Sequence, residues 1–144
     1  SRDALSSGYQ QEMDKLRAAL LKNPKNGEAL RRMARRAIAA GDFYYARLVL
    51  EQLDELAPGK SEGLRGLVLW QLGEPQAAAV ALEKARKAGD PEAAANLAGL
   101  YYSFGYTKQA KQVMPQGKMD GLDLSSPEIH PTVRKMMKQT GGDE

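Results

Sequence analysis

Apolar residues along this chain fall at spacings of three and four, in stripes broken by glycine or proline. Leu30, Met33, Ala34 and Ala37 form one stripe, and Gly41-Asp42 interrupts it. Ala46, Val49, Leu50 and Leu53 form the next, which ends at Ala57-Pro58-Gly59. Such spacings put side chains on one side of a helix, so the pattern predicts two helices joined by a tight turn. Glycine ends a helix cheaply because it accepts left-handed backbone, and proline stops one pair and starts the next.

The pattern recurs. Leu64, Leu67 and Val68 precede Gly73, and Ala78, Leu82 and Ala85 follow it, although the first helix of this pair reads short and its register is open. Ala94, Leu97, Ala98 and Tyr101 precede Gly105, and Ala110, Val113 and Met114 follow before Pro115 cuts the helix. Gly41, Gly73 and Gly105 stand 32 residues apart, as do Ala46, Ala78 and Ala110. Pro24, Pro58 and Pro91 are separated by 34 and 33 residues. Two markers with one period in the low thirties point to a helical repeat array, whose units bury apolar faces against their neighbours.

The flanks complete the division. Residues 1–25 read as an N-terminal helix, the second half of a truncated unit, with Gly8-Tyr9 at its turn and Pro24 at its close. Residues 26–58, 59–90 and 91–114 are the three units. Residues 115–144 are a polar linker and a capping helix, with Pro131 early in the helix, Gly141-Gly142 as its stop, and Val133, Met136 and Met137 facing the last unit. Fraying is expected over 140–144.

Composition narrows the class. A chain of 144 residues is ample for one domain with a continuous core. Hydrophobic content of 42% and charged content of 27% argue against wholesale disorder. A net charge of +3 does not by itself point to nucleic acid or membrane. With no cysteine, disulfides and thiolate metal sites are excluded. No apolar run is long enough to span a bilayer, and no signal-peptide pattern stands out. The start at Ser1, inside half a unit, reads as a cut from something longer, which leaves localisation open.

On these residues the chain resembles the tetratricopeptide repeat family over roughly residues 8–114. Leu30, Met33, Ala34 and Ala37 match the first helix of that family's unit, and Ala46, Leu50, Leu53 and Pro58 the second. The third unit matches best, through Leu97, Ala98, Tyr101, Gly105 and Ala110, with some Sel1-like character in "GDPEAAANLAGLYYSFG". The resemblance implies an all-α, right-handed solenoid of about three helix pairs with flanking helices. It implies a non-enzymatic scaffold or adaptor that binds a protein partner on a concave surface lined by the first helices.

The family's groove positions fall on Glu28, Arg31, Arg35 and Ile38, on Arg65 and Leu69, and on Glu92, Ala95, Asn96, Gly99, Tyr102 and Ser103. Among them Arg31, Arg35, Arg65, Asn96 and Tyr102 are the candidate partner-binding residues. Arg31 and Arg35 lie one helical turn apart and suit an acidic peptide or a C-terminal carboxylate. The competing reading of "LRRMARRA" is a solvated basic face, paired in part with Glu28 or Asp42. Tyr102 is either a peptide anchor or a packing residue. The carboxylate clamp by which some family members grip chaperone tails is not present.

A structural subunit of a bacterial envelope machine, such as a pilus, secretion or polysaccharide-export apparatus, is the alternative reading. RNA binding is a lesser one, opposed by Glu92 and the neutral third groove. The resemblance leaves a bacterial chain in the periplasm, envelope or cytoplasm, and exposed apolar ends admit a homodimer. His130, the sole histidine, reads as a helix-start residue without catalytic or metal partners. No cofactor, metal or nucleic acid is expected, nor membrane insertion by this chain.

Overall fold

A computed structural model of the chain describes residues 6–114 and 121–140. Those residues form α-helices and no strand. The helices are α1 (Ser7–Lys22), α2 (Gly27–Ala39), α3 (Phe43–Leu56), α4 (Glu62–Gln71), α5 (Pro75–Lys87), α6 (Pro91–Ser103), α7 (Thr107–Val113) and α8 (Pro131–Thr140). They fall into two compact units, one ending at Ser61 and one beginning at Glu62.

The turns follow from the glycines. At the end of α2, Gly41 has φ 77°. Its N–H donates to the Ile38 carbonyl at 3.0 Å, and the Asp42 N–H donates to the Ala37 carbonyl at 2.8 Å. This double closure satisfies carbonyls that the helix end leaves open. Gly73 and Gly105 make the same pair of bonds, and so does Gly89 between α5 and α6. The fold is therefore repeat-like in its turns as well as in its helix pairs.

In the first unit α2 packs on α1 and on α3. Leu30, Met33, Ala34, Ala37 and Ile38 of α2 are buried, with Ala46, Val49, Leu50 and Leu53 of α3 and Tyr9 and Met13 of α1. The expected turn at Gly8-Tyr9 is instead the opening of α1. Ser6 is its N-cap, and the Ser6 hydroxyl accepts from the Tyr9 N–H at 3.2 Å. The Tyr9 hydroxyl donates to Asp42 Oδ2 at 3.2 Å, and burial, then the Asp42 charge, push its pKa up to about 12. Arg36 binds Glu12 at 2.7 Å and lies over the Tyr9 ring, which ties α2 to α1.

In the second unit α6 is central, packed against α4, α5, α7 and α8. Its residues from Ala93 to Leu100 are all buried, which is why it lacks a polar face. Leu69, Leu82, Leu97 and Leu100 share one cluster, while Ala95, Ala98, Ala110, Ile129, Val133 and Met136 share another. Gly66 lets α4 and α5 meet: a Cβ there would lie 2.6 Å from Leu82 Cγ. Gly66 stands 32 residues after Ala34 and 32 before Ala98, so this small residue of α4 keeps the period. α4 has 10 residues, against 13 in α2 and in α6.

α8 begins at Pro131, and Val133 and Met136 are buried. Leu122 and Leu124, within the stretch read as a polar linker, pack against the same cluster. Thr140, the first residue of the stretch expected to fray, is the last residue of α8. Pro115, expected to stop α7, and residues 141–144, which hold the expected Gly141-Gly142 stop and the rest of that stretch, lie outside the described residues.

Candidate functional site

The candidate residues divide between the two units. Arg31 and Arg35 lie one turn apart on α2, Arg31 half-buried and Arg35 exposed. Beside them Arg32 binds Glu28 at 3.2 Å, and Arg36 is held by Glu12. These pairs are exposed enough to contribute only about 0–1 kcal/mol each. They set the local charge of α2 more than its stability. Arg65, in the second unit, binds Glu62 of its own helix at 2.9 Å. Of the wider groove set, Ile38 and Leu69 are core residues.

Asn96 is not exposed. Its side chain is buried under residues 128–130 of the same chain. Asn96 Nδ2 donates to the Glu128 carbonyl at 2.9 Å. Asn96 Oδ1 accepts from the His130 N–H, also at 2.9 Å. One carboxamide thus pairs with main-chain groups two residues apart, across Ile129, through one of its two N–H donors and through its oxygen. Tyr102 packs on the cluster that contains Ile129, Val133 and Met136.

The neighbours of Asn96 are small. Ala95 and Ala98 are fully buried against the tail, and a Cβ on Gly99 would lie 2.8 Å from Val133 Cγ2 and 3.3 Å from the Trp70 ring. Ala95, Ala98 and Gly99 therefore form a shelf on α6 that admits a polypeptide close to its backbone. The α6 positions expected to line an open groove, Ala95, Asn96, Gly99 and Tyr102, are packed against the chain's own segment.

His130 anchors that segment. Its ring stacks on Trp70 with centroids 3.4 Å apart and planes 8° from parallel. His130 Nδ1 accepts from the Thr132 N–H at 3.0 Å, which caps the start of α8. Burial, then the charge of Arg134, lower its pKa from 6.5 to about 4, so the ring is neutral as the cap requires. Arg134 donates to the carbonyls of Leu124 and Ile129, and the Asp123 carboxylate accepts from the Ser125 N–H and hydroxyl. The tail is thus braced by its own hydrogen bonds.

The second unit also has an apolar pocket of roughly 220 Å³ lined by Pro75, Gln76, Ala79, Leu100, Tyr101, Phe104 and Tyr106. Phe104 and Tyr106 stack loosely at 6.4 Å on its rim. Among the described residues, no three His, Asp or Glu side chains converge as a metal site requires, and no helix is long and apolar enough to cross a membrane.

Comparisons of the chain with protein-family models, curated proteins and solved structures return no match. Ile129 and the Asn96 pairing were missed in the sequence. Ile129 sits alone among polar residues in "SSPEIHP", and the partners of Asn96 are 32 and 34 residues away.

Proposed function

We propose that this chain is a non-enzymatic protein-interaction module of the tetratricopeptide-repeat kind, which holds a segment of a partner polypeptide against its helix pairs. One observation carries this reading. The Asn96 carboxamide grips the chain's own main chain at residues 128 and 130 on a shelf of small residues, with Ile129 buried between its two contacts. Main-chain hydrogen bonds flanked by side-chain pockets are a general means of binding extended peptides. In the first unit, Arg31 and Arg35 favour an acidic partner, since two guanidinium groups one turn apart attract carboxylates.

The test is a panel of fluorescent peptides with acidic, neutral and basic C-terminal segments, titrated into the full chain and read by anisotropy. The expected result is saturable binding of acidic members, weakened by salt. A panel in which no peptide binds, or in which the basic members bind best, contradicts the reading.

A further inference from the structure

The α6 shelf is filled in cis, and its occupant defines what it takes. Residues 128–137 run across it as the end of a turn, closed by the Ile129 N–H on the Ser126 carbonyl at 3.0 Å, that leads into the first turns of α8. Ile129, Val133 and Met136 are buried there with at most 1% exposure. The His130 ring lies on Trp70, and Pro131 starts the helix. Asn96 reads the main chain on either side of Ile129. The cap on Thr132 and the Arg134 bonds to Leu124 and Ile129 are made within the tail. None of them involves a residue of α6.

The entropy of ordering the segment is opposed by burial of Ile129, Val133 and Met136, by Leu122, Leu124 and Met137 packed beside them, by the His130–Trp70 stack and by the two Asn96 bonds. The shelf itself does not depend on the tail for its backbone, because α6 also packs on α4, α5 and α7.

We infer that the tail is a displaceable occupant of this shelf, and that its place is taken by a partner segment of the same chemistry. That segment has an aliphatic residue between a main-chain carbonyl and a main-chain amide, an aromatic or imidazole ring followed by proline, and a helical turn with two further aliphatic residues. The tail then gates partner binding. This inference rests on the reading of the chain as a polypeptide-binding module and adds the segment and the gate.

The probe is a synthetic peptide of residues 121–140. It is titrated into the wild-type full chain and into a full chain whose own tail carries Ile129→Asp and Val133→Asp, with α4 to α7 untouched. The peptide should bind the unseated chain at least tenfold tighter than the wild type. It should quench Trp70, the sole tryptophan, through its own histidine. Adding Asn96→Ala to the unseated chain should weaken binding at least tenfold. An unseated chain that stays helical but binds no peptide overturns the inference, since the tail is then a fixed part of the core. Wild-type dimers that exchange tails would reassign the occupant to a second copy and overturn the partner assignment.

Hydrogen exchange on the wild-type chain is a second arm that needs no variant. Amides of α8 should exchange at least tenfold faster than those of α6, by local opening. Equal rates for the two helices overturn displaceability. Acidic-peptide binding at Arg31 and Arg35 is read on the wild-type chain with the tail in place, so failure of the gate and failure of the binding module are separable.

Discussion

The His130 imidazole stacks on Trp70 and caps α8 through an unprotonated Nδ1. Burial and the nearby cationic Arg134 both disfavour an imidazolium there. Its pKa is lowered from 6.5 to about 4, so as pH falls the undocked tail takes up a proton before the docked one. The contribution of His130 to docking is complete above pH 6.5. It declines below that value and is gone by about pH 4. Trp70 emission should follow this course, and in His130→Phe, which keeps a ring without a titrating nitrogen, the same interval should be flat. A wild-type signal that does not change between those limits would disprove the cap.

Two glycines test the role of the backbone with opposite signs. Gly73 has φ 80°, so Gly73→Ala should destabilise by about 1 kcal/mol or more. Gly8 lies in α1, and a Cβ added there would meet nothing within 4 Å, so Gly8→Ala should be neutral or stabilising by up to about 1 kcal/mol. Denaturant midpoints of the two variants check both signs.

At the scale of elements, α6 carries the second unit. Leu97 is fully buried at its centre, and Leu97→Ala should cost about 2–5 kcal/mol. Leu21→Ala on α1, where the side chain is 86% exposed, should change stability by no more than about 0.5 kcal/mol. Calorimetric unfolding of both variants measures the contrast. Helix pairing was legible in the sequence because it rests on local rules. Glycine at the turn and alanine five residues later recur in each pair, and Gly66 keeps the same interval. The α1 start was misplaced because Gly8 looked like the other turn glycines, whereas Ser6 caps the helix ahead of it. The site was less legible. Asn96 pairs with Glu128 and His130, and Trp70 with His130, through folding of distant segments that no local spacing records.

At the scale of the whole molecule, the proposed binding divides between two chemistries, one in each unit. The first unit offers the guanidinium groups of α2, and the second offers a shelf that holds main chain. The net charge of +3 is small, so attraction of an acidic partner depends on where the arginines stand rather than on the total. The most direct test is calorimetric titration of the tightest acidic peptide into the wild-type chain and into the Arg31→Glu/Arg35→Glu chain, with helicity matched by circular dichroism. The expected result is an affinity loss of tenfold or more, about 1.4 kcal/mol, in the variant. Equal affinities for the two chains would contradict the assignment and leave the arginines of α2 as solvated surface.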